Sequence, residues 1–193
     1  MIVGLTGGMA CGKSTAAEIF REEGFETVDC DDLVRELLAG NREVQGAVRE
    51  RFGESVMDPS GGVDRRALAR IVFASPPDLE WLEGLLHPKV NRSWQELTES
   101  RPGIRWVVQI PLLFEKKLEK LVDLTVCVAC SPQVQGDRLR RRGLTENQAG
   151  ARLSRQLPLE TKMEFSDYVI LNDGSARFLR DQVLDLIRCI ASE

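Results

Sequence analysis

The chain has 193 residues, enough for one well-buried core and a small added subdomain but short for two independent domains. Hydrophobic residues make up 42% and charged residues 29% of it, so the composition excludes the disordered and membrane-embedded classes. The formal net charge of -4 argues against a nucleic-acid-binding protein that relies on a wholly basic surface.

The N-terminal stretch and the cysteines indicate the compartment. The opening residues, MIVGLTGG, lack the basic region of a signal peptide, and no later segment has the 18 apolar residues of a membrane span. The five cysteines are an odd number, so we expect reduced thiols and a cytoplasmic protein. Cys127 and Cys130 form a C-x-x-C pair, but the stretch LTVCVAC is typical of a buried strand, and we interpret the pair as structural.

Five apolar runs predict the strands of an α/β protein. Several are nearly continuous, as expected for a parallel sheet that is covered on both faces. Helical patterns lie between the runs, and the first helix, about residues 13–23, is predicted to end at Gly24. The predicted strands are residues 2–6, 25–28, 104–110, 124–130 and 168–171.

A phosphate-binding motif lies between the first strand and the first helix. Residues 7–14, GGMACGKS, fit G-x-x-x-x-G-K-[ST] in the strand–loop–helix context that the motif requires. Backbone N–H groups and the helix N-terminus bind phosphate oxygens, Lys13 reaches the outer phosphates, and the Ser14 hydroxyl ligates Mg²⁺. The ATP-binding candidates of this stretch are Gly8, Ala10, Cys11, Gly12, Lys13, Ser14 and Thr15.

The same motif serves both phosphoryl transfer and nucleotide-driven motion, and the rest of the sequence favours transfer. A GTPase needs an Asn-Lys-x-Asp motif to read the base, and no asparagine here is followed by lysine. A motor ATPase usually ends a buried strand with a Mg²⁺-holding aspartate, and the stretch WVVQI offers Gln109 there. Beside Lys13 at a helix N-terminus, the Cys11 thiol is expected to be acidic and open to alkylation.

Carboxylates cluster at the end of the second predicted strand, in the stretch VDCDD. Asp29 and Asp31 are two residues apart and are expected to share a face while the strand lasts, at the sheet edge where ligands bind. We favour Asp31 as a proton acceptor or water-mediated Mg²⁺ ligand, and Asp32 as a helix N-cap. Arg35, one turn later, either pairs with these acids or grips an anionic acceptor.

The long gap before the third strand predicts an insertion. Residues 33–103 carry several amphipathic helical patterns, one of them with an Asp64 cap, and an inserted helical subdomain suits a second substrate. We predict a nucleotide-binding core of residues 1–32 and 104–193. His87, the single histidine, follows an apolar helical run and is on chemistry alone more often a packed residue than a base.

A strongly basic helical pair follows the fourth strand. It has a break at Gly143 and a predicted N-cap at Thr145, and we assign a lid to about residues 132–160. Of its four clustered arginines, at least two fit a solvated helix face. Arg138 and Arg142 are four residues apart and share a face, so we select them as the cations for the transferring group.

These motifs together resemble one family, the dephospho-coenzyme A kinases, over nearly the whole chain. The segments that carry the resemblance are GLTGGMACGKST, VDCDDLVR, DRRALARIVF, LLHP, IPLLFE, DRLRRRGLT, ARLSRQ and SDYVILNDGS, in the family's order. The phosphate loop is shared with many enzymes, whereas DCD followed by HP and PLLFE is more selective. The sequence departs from the family at Ala10-Cys11, often Gly-Ser, at Gln109, often aspartate, and at the bare Gly143 after Arg142.

The resemblance implies an activity and a fold. The implied activity is ATP-dependent phosphorylation of the ribose 3′-hydroxyl of dephospho-coenzyme A, the last step of coenzyme A synthesis, with Mg²⁺. The implied fold is an adenylate-kinase-like P-loop kinase: a three-layer α/β core on a five-stranded parallel sheet, with an inserted helical acceptor subdomain and a basic helical lid. ATP and dephospho-coenzyme A are then the partners, with neither nucleic acid nor membrane among them.

The resemblance also assigns residues by position. Asp31 matches the family's candidate base, and Arg138 and Arg142 match its lid arginines. The remaining residues that it assigns are Arg35, His87 and Pro111 in the acceptor site, and Asn172 and Gly174 near the adenine of ATP. The alternatives that stay open are another small-molecule or nucleotide kinase and a nucleotide-dependent regulatory protein.

Overall fold

The computed structural model describes residues 1–191, except for the side chains at positions 146 and 147. Its sheet has five parallel strands, and their order, β2-β3-β1-β4-β5, places the first strand at the centre. The strands are β1 (Ile2–Gly7), β2 (Glu26–Asp29), β3 (Trp106–Gln109), β4 (Leu124–Ala129) and β5 (Tyr168–Leu171). The prediction of an α/β parallel sheet is confirmed.

The central strand is buried because a neighbour pairs with each of its edges. Val3 pairs with Val107 of β3 on one side and with Leu124 of β4 on the other. The β1 side chains are almost entirely buried, which explains the nearly continuous apolar sequence of this strand. The carboxyl ends of parallel strands meet at one sheet edge, so the residues that follow β1, β3, β4 and β5 lie along that edge.

The first and last helices cover the sheet. Helix α1 (Lys13–Glu22) packs against α9 (Ala176–Ile190), and both contribute to the core with β1 and β4. Helix α1 ends as predicted, because Gly24 has a φ of +86°, a conformation that glycine adopts without a steric penalty.

The chain divides into two compact units, residues 1–28 with 101–193, and residues 29–100. The second unit is helical and has a hydrophobic core of its own, built around Val44, Val48 and Leu68. Its helices are α2 (Cys30–Gly40), α3 (Arg42–Phe52), α4 (Arg65–Val72) and α5 (Pro76–Ser100). Asp64 caps α4 as predicted, since its carboxylate accepts the N–H groups of Arg66 and Ala67 at 2.9 and 3.1 Å.

Two helices differ from the sequence-based expectation. Helix α5 continues for twelve residues beyond Pro88, so His87 lies inside a long helix and not at the end of one. Proline removes one backbone donor from a helix, and Leu82, Leu86, Val90 and Trp94 on the buried face keep this helix together across the gap. Helix α8 (Leu159–Phe165) was not predicted, because seven residues carry too little periodic pattern to be recognised.

The basic pair consists of α6 (Pro132–Arg141) and α7 (Glu146–Leu153). Gly143 has a φ of +75° between them, and Thr145 caps α7. The Thr145 hydroxyl accepts the Gln148 N–H at 3.3 Å, while the Gln148 side chain accepts the Thr145 N–H at 3.1 Å, so the predicted cap is a full capping box. No helix within residues 1–191 combines the length and apolar character that a membrane crossing needs.

Candidate active site

The phosphate loop connects β1 to α1 and depends on unusual backbone angles. Gly7 and Gly12 have φ values of +139° and +104°, and Ala10 has a φ of +62°. A Cβ on Gly7 would lie 2.1 Å from the Val128 carbonyl oxygen, and one on Gly12 would lie 2.1 Å from the Asn172 amide nitrogen. Glycine is therefore required at both positions by contact as well as by conformation.

Lys13 and Ser14 open helix α1 at the end of the loop. The Lys13 amino group donates to the carbonyl oxygens of Gly7 and Gly8, both at 3.0 Å. These bonds hold the cation within the curve of the loop, where phosphate oxygens are bound in proteins of this loop type. The side chains of Ser14 and Thr15 are exposed in the first turn of α1, so their hydroxyls are open to a ligand.

Three side chains from other parts of the chain fix the loop backbone. The Asn172 amide, just beyond β5, donates to the Cys11 carbonyl oxygen at 2.8 Å. The Arg138 guanidinium, on α6, donates to the same carbonyl at 3.3 Å and to the Asn172 carbonyl at 2.9 Å. Gln135, one turn earlier on α6, donates to the Met9 carbonyl at 2.9 Å. These side chains donate hydrogen bonds to carbonyls of the loop and so support its conformation from outside the loop.

The loop cysteine is enclosed. Cys11 is fully buried, and its Sγ lies 3.2 Å from the Sγ of Cys130, the residue that follows β4. Burial, together with the bond to Cys11, raises the pKa of the Cys130 thiol to about 12. The expectation that Cys11 is open to alkylation is wrong, since packing against Cys130 and Gln135 removes its thiol from solvent.

The pKa of the Cys127 thiol depends on its burial and on two nearby lysines. Burial raises the pKa of its thiol to about 11, while the charges of Lys162 and Lys13 act in the opposite direction. Cys127 and Cys130 thus have different neighbours, and all five cysteines are free thiols. This agrees with the structural interpretation of the C-x-x-C pair.

The four arginines of the basic run separate by environment. Arg138 is half-buried against the loop, whereas Arg140, Arg141 and Arg142 are exposed. Arg140 pairs with Asp137 on the same helix, and Arg142 is the C-cap residue that directly follows α6. The structure therefore joins Arg138 to the phosphate loop and leaves Arg142 at the surface of the helix end.

The acidic cluster is arranged differently from the prediction. Strand β2 ends at Asp29 and α2 begins at Cys30, so Asp29 and Asp31 do not share a strand face. The N-cap is Asp29, whose carboxylate accepts the Asp31 N–H at 2.8 Å, and not Asp32. The helix starts three residues earlier than expected because Asp29 and not Asp32 supplies the cap, which leaves the Asp31 side chain exposed in the first turn.

Asp32 has a different partner. It pairs with Arg35, three residues along α2, and both side chains are about half exposed. Of the two roles that the sequence leaves open for Arg35, the structure shows the ion pair with a neighbouring acid. Such exposed pairs contribute little to stability, so the pair does not prevent Arg35 from taking another anion.

Three more predicted residues lie in separate places. His87 is half-buried within α5, in the helical unit. Pro111 follows β3 at the sheet edge, and its carbonyl accepts hydrogen bonds from Thr6 at 3.4 Å and from Lys162 at 2.8 Å. Gly174 is exposed, two residues beyond Asn172. Lys162 was missed by sequence reasoning, because a single lysine in a short helix carries no local signal for burial.

The comparisons with known proteins show the family of the chain. A family model described as dephospho-CoA kinase matches residues 1–177 of the chain. The chain belongs to the dephospho-CoA kinase family. Family membership confirms the resemblance seen in the sequence and makes the chain a kinase of the phosphate-loop type. A dephospho-CoA kinase from Carboxydothermus hydrogenoformans is 39% identical, and the alignment covers 97% of this chain and 93% of that relative. One from Gloeobacter violaceus is 37% identical over 94% of this chain and 89% of its own.

Solved structures support the family and the fold. A crystal structure of a Thermus thermophilus protein matches with a TM-score of 0.82 and 33% identity, over 97% of this chain and 96% of that one. Dephospho-CoA kinase from Campylobacter jejuni matches with a TM-score of 0.69 and 26% identity, over 98% and 96%. Shikimate kinase from Acinetobacter baumannii, at 17% identity and a TM-score of 0.53 over 99% and 93%, shares the fold alone. The predicted P-loop kinase fold is confirmed.

Proposed function

We propose that this kinase transfers the γ-phosphoryl group of ATP to the ribose 3′-hydroxyl of dephospho-coenzyme A, giving coenzyme A and ADP. The observation that carries the proposal is a phosphate loop with positive φ angles at Gly7, Ala10 and Gly12, in a chain of this family. Its Cys11 carbonyl accepts hydrogen bonds from the side chains of Arg138 and Asn172. Phosphoryl transfer depends on positioning and charge stabilisation more than on covalent chemistry by the protein. A rigid loop with an internal cation suits that requirement.

The proposed donor half of the site consists of the loop and two arginines. The backbone N–H groups and Lys13 bind the phosphates of ATP, and they neutralise charge that spreads over the transferring group. Arg138 first positions the loop through its carbonyls and then lies beside the phosphates, while Arg142 approaches when the proposed lid, residues 132–160, closes. Asn172 and Gly174 belong to the adenine end of the nucleotide in this proposal.

The proposed acceptor half comes from the helical unit, residues 29–100, and from Pro111. Asp31 accepts the proton of the attacking hydroxyl, because its carboxylate is exposed and not used as the helix cap. Arg35 and His87 hold the anionic and polar groups of dephospho-coenzyme A. These assignments follow the family's motifs onto the matching positions of this chain.

Mg²⁺ fits the oxygen donors that the chain offers. Among the side chains that the structure describes, no three of His, Cys, Asp or Glu form a group that could hold a metal ion. In this proposal the ion would be held by the Ser14 hydroxyl and the phosphates of ATP, with Asp31 acting through water, as is usual for Mg²⁺ in kinases. When bound, it withdraws negative charge from the phosphates.

One assay tests the function against its alternatives. ADP release is measured with dephospho-coenzyme A, with nucleoside monophosphates and without an acceptor, and the product is identified by mass spectrometry. We expect turnover with dephospho-coenzyme A that exceeds the other two rates by about 10² or more, the usual effect of binding an acceptor in place of water. Equal turnover without an acceptor would support a regulatory nucleotidase, and preference for a monophosphate would support another kinase.

A further inference from the structure

Helix α8 carries a fully buried cation, Lys162, beneath the edge of the sheet. Its amino group donates to the Pro111 carbonyl oxygen at 2.8 Å and pairs with a Glu115 carboxylate oxygen at 2.8 Å. Both partners belong to the segment 111–117 that follows β3. Lysine is rarely buried without such partners, so the pair accounts for its position.

Glu115 links this lysine to the connection between α7 and α8. The same carboxylate oxygen, Oε1, also accepts the Leu157 N–H at 2.8 Å. The other oxygen, Oε2, is buried and has no hydrogen-bond partner among the described residues. One carboxylate therefore ties two loops to one buried ammonium group, and one of its oxygens pays a desolvation penalty.

Stability alone does not account for this arrangement. A buried ion pair seldom stabilises a fold more than apolar side chains of similar size, because two charges must leave water. An unpartnered buried oxygen adds a further cost. What the pair supplies is geometry, since an ammonium group fixed between two acceptors specifies where both of them lie.

The Pro111 carbonyl is contacted by donors from two elements, at 2.8 Å from Lys162 and at 3.4 Å from Thr6. It accepts from Lys162 on α8 and from the fully buried Thr6 hydroxyl on β1, the strand that leads into the phosphate loop. A carbonyl oxygen has two lone pairs, and here both have donors from rigid elements. The segment 111–117 is thereby attached to the same strand as the loop.

We propose that Lys162 and Glu115 are positioning residues for phosphoryl transfer. They fix the segment that begins at Pro111, and through Leu157 they fix the base of the proposed lid. Neither residue touches the reacting groups in this proposal. The inference rests on the proposed function, which supplies the phosphoryl transfer, the lid and the assignment of Pro111 to the acceptor site.

The test uses the full chain with Lys162→Met, with the double variant Glu115→Gln/Lys162→Met, and with Lys120→Met as control. Lys120 is an exposed lysine of the same unit. Lys162→Met leaves a buried carboxylate unpaired and can reduce folding, whereas the double variant removes both charges together and keeps an oxygen for the Leu157 N–H. Hydrogen–deuterium exchange of residues 111–117 and 155–159 is measured together with kcat and both KM values.

We expect the double variant to unfold near the wild-type temperature but to exchange residues 111–117 about tenfold faster. We also expect kcat to fall about tenfold and KM for dephospho-coenzyme A to rise about fivefold, with KM for ATP within about twofold, and Lys120→Met to match the wild type. Unchanged exchange and kinetics in a folded double variant would overturn the inference. A wild type that does not phosphorylate dephospho-coenzyme A would overturn the proposed function instead, and the exchange data would still decide whether Lys162 positions the segment.

Discussion

Ala10 occupies a left-handed backbone conformation, with a φ of +62°, in the middle of the phosphate loop. This conformation costs a residue with a Cβ about 1 to 2 kcal/mol and costs glycine almost nothing. The loop tolerates alanine because its neighbours are held by Asn172, Arg138 and Gln135. Alanine in place of the family's usual glycine therefore introduces backbone strain at this position, and the surrounding hydrogen bonds hold the strained conformation.

Replacing Ala10 by glycine tests the strain, with Ala17→Gly as a matched control. Both alanines are buried, so each change removes the same buried methyl group, but Ala17 lies within helix α1. We expect Ala10→Gly to change the free energy of unfolding by less than about 0.5 kcal/mol, because relief of strain offsets the lost methyl group, and Ala17→Gly to lower it by about 1 to 2 kcal/mol. Equal losses in denaturant titrations would show that the loop is unstrained.

Asp31 is the residue on which the proposed chemistry depends most. Replacing it by asparagine keeps the size of the side chain and removes the proton acceptor, so we expect kcat to fall by about 10² or more while ATP still binds. The control is Glu36→Gln, which removes an exposed negative charge from the same helix and should leave kcat within about twofold of the wild-type value. Steady-state kinetics and ATP titration measure both, and an unchanged kcat in the Asp31 variant would remove it from the mechanism.

At the scale of elements, the decisive packing is that of α6 on the phosphate loop. Sequence periodicity predicted the helix and its basic face, and the Thr145 cap and Gly143 break that follow it are confirmed. Periodicity could not show that Arg138 turns inward to carbonyls of the loop, more than 120 residues away in sequence. The planar guanidinium donates through two of its nitrogens, to the Cys11 carbonyl at 3.3 Å and to the Asn172 carbonyl at 2.9 Å, and so links the loop to the residue that follows β5.

We therefore expect Arg138→Met to weaken ATP binding about tenfold, because the Cys11 and Asn172 carbonyls lose a charged donor. Arg141→Met is the control, since Arg141 is exposed on the same helix. It should change ATP affinity less than twofold, and calorimetric titration compares the two. Equal effects in both variants would indicate that α6 acts through its overall charge and not through this contact.

Other elements show where local patterns mislead. Asp32 is a residue type that often caps helices, but Asp29 precedes it in the sequence and is the N-cap of α2. Pro88 is a common helix breaker, yet α5 passes through it because its buried face continues on both sides. The hydrogen bond lost at a proline costs a few kcal/mol, whereas four large apolar side chains buried along one helix contribute more.

At the scale of the whole molecule, burial decides the behaviour of the thiols. Cys11, Cys30, Cys127 and Cys130 are buried, and Cys189 is exposed. Burial, with help from neighbouring charges, raises the pKa of Cys30 to about 12, as it does for Cys130. Since a raised pKa keeps a thiol protonated up to that pH, these two groups carry almost no thiolate at pH 8.

We expect iodoacetamide at pH 8 to label one thiol of the native chain quickly and all five in denaturant. The fast label should lie on Cys189, and Cys189→Ser should abolish it. Mass spectrometry with and without ATP counts the labels. Rapid, ATP-protected labelling of Cys11 would contradict the burial of the phosphate loop.

The sequence by itself determined the fold class, the five strands, the phosphate loop and the family, because each depends on a local pattern of apolar residues or on a short motif with fixed spacing. Only the tertiary structure decided that Arg138 and Asn172 hold the loop, and that Lys162 is buried against Pro111 and Glu115. The physical reason is that a charge or donor finds its partner by distance in space. Chain neighbours do not reveal a partner that is distant in the sequence, as the separations of 51 positions from Pro111 to Lys162 and of 161 positions from Cys11 to Asn172 illustrate.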